Sequence, residues 1–220
     1  MEACISLYEK TIGFYQQGKI ILCVDQKTQI QALERLHPDI PSTFGHIGKR
    51  EYHYKKHGVL NLIAGLEVAA GNVIGGCYES NSNIEFCDFL LRAYCQLRNS
   101  NEINLIVDNY GTHTHMNVCR LVAKLCGAEI SEKELKTKKQ RVRFLESAGK
   151  KIIFHFLPTH ASWLNQIEIW FSILSKKVIR RGNFSGKIDL ATKITNYMDL
   201  EWNQNAHPFQ RTYKGKVCCA

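Results

Sequence analysis

Two apolar runs that each stop at an aspartate constrain this chain most. Ile103–Val107 (INLIV) ends at Asp108, and the turn-forming Asn109-Tyr110-Gly111 follows at once. Lys19–Val24 (KIILCV) repeats the design and ends at Asp25. Runs rich in Ile, Leu and Val suit strands buried on both faces of a sheet. An acid at the end of such a strand is held at the sheet edge, half out of the core. Asp108-Asn109 also reads simply as the start of a turn, since Asp, Asn and Gly favour turns for backbone reasons of their own.

Between and beyond these runs the pattern alternates. Met1–Gly18 reads as a short helix and turn. Gly58–Val68 and Asn72–Tyr78 read as a hairpin over Ala69–Gly71. Ile84, Phe86, Phe89, Leu90, Ala93 and Leu97 recur at helical spacing after a capping Ser82 or Asn83, and His115–Cys126 fits a second helix. Ile152–Phe156 is a last short strand. Trp163–Arg181 is expected to be the longest helix, with Ile167, Trp170, Phe171, Leu174 and Val178 as its stripe, and a final helix within Phe184–Trp202 is expected to bury Ile188, Ala191, Ile194 and Met198. A hairpin-rich start followed by alternating strands and helices predicts an α/β domain, a mixed sheet of about five strands with helices on both faces. At 220 residues and 45% hydrophobic content the chain suffices for one sizeable core.

Glu168 falls on the amphipathic pattern of LPTHASWLNQIEIWF. Convergent carboxylates repel one another unless a cation sits among them. Hard divalent ions, Mg²⁺ or Mn²⁺, meet that need with oxygen ligands. A pair of such ions supports in-line displacement at phosphorus, with Asp25 bridging both and Asp108 and Glu168 each completing one. The chemistry implied is metal-assisted cleavage of a phosphodiester. His113, His115 and His160 lie near the acids, but their spacing is a weak zinc signal; positioning of the acids or phosphate contact is the preferred reading. Asn165 and Gln166 are read first as helix caps, and otherwise as substrate contacts.

A formal net charge of +9 favours a polyanionic partner. In KREYHYKKHG, Lys49, Arg50, Lys55 and Lys56 alternate with aromatics, which suits phosphate neutralisation with stacking, or else a solvated hairpin arm. Lys176, Lys177, Arg180 and Arg181 load the end of the Glu168 helix, where they suit the helix dipole as well as DNA. Gly127–Lys151 is strongly basic and reads as a surface helix or as a further phosphate-contacting element. The nine cysteines are scattered without a CxxC pair; Cys23, Cys77, Cys87 and Cys95 are expected as small core residues in a reducing compartment. No apolar run reaches the roughly 18 residues of a membrane span and no signal-peptide pattern is present, so a cytoplasmic protein, nucleoid-associated when on DNA, is expected.

The phrases VDQKTQIQALERLHP, HYKKHGVLNLIAGLEVAAGNVIG, LIVDNYGTHTH, PTHASWLNQIEIWFSIL and RRGNF, in that order, resemble the catalytic domain of bacterial insertion-sequence transposases of the DDE type, mariner-like superfamily. The resemblance runs from about Leu7 to Phe209. It implies a ribonuclease H-like fold, two Mg²⁺ or Mn²⁺ ions, and Asp25, Asp108 and Glu168 as the acidic triad. It also implies double-stranded DNA as partner (element ends and target) and at least a homodimer during catalysis. The charge and position of Lys49, Arg50, Lys55, Lys56, His113, His160, Lys176, Lys177, Arg180 and Arg181 make them the candidate DNA contacts.

The sequence departs from the family pattern in three ways. The usual N-terminal helix-turn-helix region is expected to be absent, either because a separate subunit supplies it or because the chain is a truncated remnant. Gln26 stands where the family often has Glu. Asp108 and Glu168 lie 60 positions apart (168 − 108), wider than the family's habit, with the basic stretch near 128–151 as the insertion. A DNA-binding remnant without catalysis and a ribonuclease H-like nuclease of other purpose are the competing readings.

Overall fold

The computed structural model describes residues 2–37, 41–48, 53–158 and 161–210. Two short helices, α1 (Glu2–Glu9) and α2 (Thr11–Gln16), precede β1 (Lys19–Arg35). A hairpin follows, β2 (Tyr54–Glu67) and β3 (Val73–Tyr78), then α3 (Asn83–Gln96), β4 (Glu102–Val107) and α4 (Met116–Cys126). The chain continues through α5 (Lys138–Glu146), β5 (Ile152–Phe156), α6 (Ile167–Leu174) and α7 (Lys187–Asn196). The strand order is β3-β2-β1-β4-β5, with β1, β2 and β3 antiparallel and β4 and β5 running parallel to β1. The topology follows from the connections: a short turn allows the antiparallel hairpin, while the parallel neighbours β1 and β4 require a helical crossover, which α3 supplies. This is the mixed five-stranded sheet expected of a ribonuclease H-like domain.

The central strand explains why helices lie on both faces. Ile21 and Cys23 pack with Trp170, Phe171, Leu174 and Leu190 of α6 and α7. The alternate residues Leu22 and Val24 pack with Phe86 and Phe89 of α3 and Val118 and Val122 of α4. Both faces of the run are therefore dry, which is why it is continuously apolar. No helix among the described residues is long and apolar enough to cross a membrane.

Local signals hold where the chemistry is local. Ser82 caps α3, its hydroxyl accepting from Ile84 N while Glu85 closes a capping box. Gly127 ends α4 in the left-handed region, at φ 64°. Gly71, at φ 79°, lies so close to His207 that a Cβ there would collide with its carbonyl. Trp202 Nε1 donates to Gly71 O at 2.9 Å, and Asn203 brackets Val73, accepting from its N at 2.8 Å and donating to its O at 2.8 Å. The segment after α7 is thereby fastened to the β2–β3 turn.

Several expectations fail for tertiary reasons. Asp25 does not end its strand: β1 loses β4 after the Cys23–Ile106 rung but stays paired with β2 as far as Arg35–Tyr54. Ile84 and Ile188 are 68% and 84% exposed, because each lies in the first turn of its helix and points away from the sheet; Leu190, Ile194, Tyr197 and Met198 fill the core instead. Cys95 is exposed as well. The Glu168 helix starts at Ile167 rather than Trp163, which lies in a separate 3-10 turn (Ser162–Leu164), and it continues from α6 as a π-helical turn over Ser175–Ile179.

Candidate active site

Asp25 sits where β1 has just lost β4, and its side chain lines a cleft shared with Asp108. Its Oδ1 accepts from Gln26 N at 2.7 Å and its Oδ2 from Asn165 Nδ2 at 3.2 Å. Burial pushes the carboxyl up to about 6; the Gln26 N–H and the His113 ring counter this, while the charges of Asp108 and Glu168 add to it.

Asp108 follows the last residue of β4. Its Oδ1 accepts from Tyr110 N at 3.1 Å and lies 2.8 Å from His113 Nδ1. Burial raises this carboxyl, but the His113 hydrogen bond and charge, Tyr110 N–H and the Lys138 ammonium outweigh it and hold Asp108 below its ordinary value. His113 is 1% exposed, its ring centroid 4.3 Å from that of Phe86, and its Nε2 lies 3.2 Å from Gln26 Nε2. A buried chain of contacts thus joins the residue after Asp25 to Asp108.

Asp25 and Asp108 line one cleft of about 260 Å³ together with Gln26, Thr28, Tyr110 and His113. Glu168, exposed on the first turn of α6, is near enough for its charge to reach Asp25 but does not line that cleft. Among the described residues, no three His, Cys, Asp or Glu side chains form a group able to hold an ion. The structure brings two of the three expected acids into one cleft and leaves the third outside it.

Asn165 is not the helix cap expected. Its backbone is extended (ψ 106°), it is 1% exposed, and its amide donates to Val24 O at 2.8 Å as well as to Asp25. Gln166 occupies the N-cap and makes no capping bond. Asn165 therefore ties the start of the Glu168 helix to the strand that carries Asp25. The sequence signal for it is an amide placed between Leu164 and Ile167, both core residues.

The basic residues are spread more widely. Lys55 and Lys56 are exposed on the outer end of β2, and Lys176, Lys177, Arg180 and Arg181 are exposed at and beyond the π-helical turn. Lys49, Arg50 and His160 lie outside the described residues. His113 is buried against Phe86 and turns its ring nitrogens to Asp108 and Gln26 at the wall of the cleft. His115 caps α4, accepting from Asn117 N at 3.2 Å.

The raised Asp25 carboxyl carries a stability cost with a definite sign. The folded chain binds this proton more tightly than the unfolded one, so the group's favourable contribution is full below pH 3.8 and is lost as pH rises through about 6. Asp25→Asn is expected to match the parent in urea denaturation near pH 4 and to exceed it at pH 7.5 by on the order of 2–3 kcal/mol. An equal pH dependence in both proteins would contradict this.

The family model described as DDE superfamily endonuclease matches residues 20–191, from the start of β1 into α7. Among solved structures, a chain of the simian T-cell lymphotropic virus intasome in complex with PP2A regulatory subunit B56 gamma is similar at 14% identity and TM-score 0.47, covering 82% of this chain and 48% of that one. The Mos1 mariner paired end complex with Mn is similar at 14% identity and TM-score 0.37, covering 95% of this chain and 62% of that one. The mariner Mos1 paired end complex with Mg gives 15% identity and TM-score 0.31, covering 96% of this chain and 63% of that one. The chain thus spans half to two thirds of the length of these structures. No curated protein matches the sequence.

Proposed function

The chain belongs to the DDE superfamily endonuclease family, and from that premise we propose that it cleaves and rejoins DNA strands as the catalytic domain of a bacterial insertion-sequence transposase. The observation that carries the reading is the pair Asp25 and Asp108 in one cleft, one carboxyl raised by burial and by its acidic neighbours, the other lowered by His113, Tyr110 N–H and Lys138.

The donor set fits hard divalent cations: carboxylate oxygens that repel one another, beside an Asn165 Oδ1 buried without a partner. Asp25 and Asp108, with Glu168 from outside the cleft, are the residues that would hold Mg²⁺ or Mn²⁺, two ions in this reading. Bound there, such ions lower the barrier to attack by an oxygen nucleophile and steady the departing oxygen. In the first step a water oxygen bonds to phosphorus and the bond to the 3′ oxygen breaks, leaving a 3′ hydroxyl. That hydroxyl then attacks a target phosphodiester and displaces its 3′ oxygen. The chain's own part is positional: His113 fixes the Asp108 carboxylate, and Asn165 and Gln26 N–H fix that of Asp25.

Residues 1–220 act as one catalytic domain with its basic insertion near 128–151. Two copies, one per element end, and a helix-turn-helix unit that reads the end sequence complete the proposal. The position of Glu168 outside the cleft favours a second reading, a DNA-binding remnant without catalysis.

Nicking of supercoiled plasmid by the purified chain in Mg²⁺ or Mn²⁺ separates the two. Nicking that chelation and Asp25→Ala both abolish is expected. Intact DNA binding without nicking in any protein would transfer the assignment to the remnant.

A further inference from the structure

The insertion is neither loose nor electrostatically balanced. It folds as a 3-10 turn (Glu132–Leu135) and α5, seated by Leu135 and Leu145 in the core and started by a Thr137–Gln140 capping box. Two of its cations are used as fasteners. Arg141 Nε donates to Thr114 O at 2.7 Å, and its Nη1 donates to Leu135 O and Lys136 O at 3.1 and 2.9 Å. Lys138 Nζ donates to Asn109 O at 3.0 Å, beside Asp108. The insertion is therefore bolted to the turn that carries the second aspartate, and the start of α5 lies beside that turn.

At its far end Lys151 Nζ donates to Arg98 O at 2.6 Å and Lys150 Nζ to Ser147 Oγ at 2.6 Å. Four further cations, Lys133, Lys136, Lys139 and Arg143, are exposed and make no ion pair among the described residues, where the insertion's acids contribute only the Arg120–Glu132 pair. Lys138 and Lys139 occupy the first turn of α5, which holds no acid. Cations there oppose the helix dipole and weaken the helix. Lys139 thus sits where a cation is disfavoured and Arg143, in the last turn, where one is favoured. An unpaired row of cations beside the Asp108 turn is matched in charge by a row of phosphates.

We infer that Lys136–Arg143 is a phosphate-contacting flank of the cleft, which takes the backbone of duplex DNA alongside Asp108 and adds affinity without sequence preference. The identity of the polyanion rests on the nuclease reading; the surface itself rests on the geometry of α5.

The test is fluorescence anisotropy with a duplex of about 30 base pairs, titrated from about 50 to 200 mM salt. The variant combines Lys136→Ala, Lys139→Ala and Arg143→Ala, all at exposed positions. The control makes the same change of three charges with Lys10→Glu and Arg98→Ala, exposed just ahead of α2 and of β4. The variant is expected to bind roughly tenfold or more weakly for every duplex sequence, with a salt slope shallower by about 0.9 for each phosphate it no longer neutralises, and the control to bind like the parent.

Parental affinity and slope in the variant, or an equal weakening in the control, overturns the flank. Metal-dependent nicking, scored on the parent in parallel, tells the two failures apart. Nicking with an unaffected variant sinks the flank alone, and no nicking with a weakened variant sinks the nuclease reading alone. A parent that binds no duplex sinks both.

Discussion

Asp108→Asn is expected to lower metal-dependent DNA cleavage by on the order of 10⁴-fold, the scale seen when an essential catalytic group is removed, while leaving the fold and the affinity for duplex DNA unchanged. The substitution keeps the shape and one side-chain oxygen. The Tyr110 N–H and the His113 ring, which hold Asp108 Oδ1 at 3.1 and 2.8 Å, still find an acceptor. What disappears is the negative charge, and with it the hold on a hard cation. Binding to DNA gains slightly if it changes at all, since an acid leaves the neighbourhood of phosphates. Cleavage rate and anisotropy on one preparation check both halves. Cleavage within tenfold of the parent would remove Asp108 from the chemistry.

Asn165→Leu is expected to cut cleavage by roughly 10- to 100-fold, the range typical of residues that orient a metal ligand. It is expected to cost only about 1–2 kcal/mol in urea denaturation. The amide is the link between Val24 O, Asp25 Oδ2 and the start of α6. Its removal strips a donor from both oxygens and frees the Asp25 carboxylate to turn. The stability change stays moderate because the same substitution also removes an acceptor, Oδ1, that is buried without a partner. A structural role alone would predict the reverse proportion, a large loss of stability with cleavage per folded molecule untouched. Asn165→Asp goes further, because a carboxylate there repels Asp25 directly.

The parts of the fold legible in the sequence are those whose causes lie within a few residues. β5 occupies Ile152–Phe156 as expected, and Ser82 begins α3, because a continuous apolar run and a capping box are local signals. Asp25 reads as a strand end because a single string shows where apolar residues stop, while the departure of β4 and the retention of β2 are pairings with distant segments. The start of α6 lies later than the spacing predicts because the extended backbone of Asn165 is set by contacts 140 and 141 positions away. Ile188 shows the limit of helical periodicity: a stripe through it and one through Leu190 are both plausible from spacing, and only the packing against the sheet selects the second. The two aspartates are legible as a pair; the deeper burial that raises Asp25 and the His113 contact that lowers Asp108 are not.

The stretch of β1 beyond Cys23 pairs with β2 on one side and, among the described residues, with no strand on the side that β4 vacates. There Val24 O accepts from Asn165 Nδ2, Leu33 O from Phe184 N, and Arg35 N donates to Asn183 Oδ1. Such an open edge beside the cleft is a template on which another chain could stack and seed aggregates. Register breaks between Lys27 and Ile30 and between Gln31 and Leu33, with Gln29 at φ 58°, twist this edge out of the flat geometry that stacking needs. The irregularity of β1 beyond Asp25 thus guards the molecule against self-association. A variant that straightened the bulge would be expected to yield less soluble protein before it yielded a less active one.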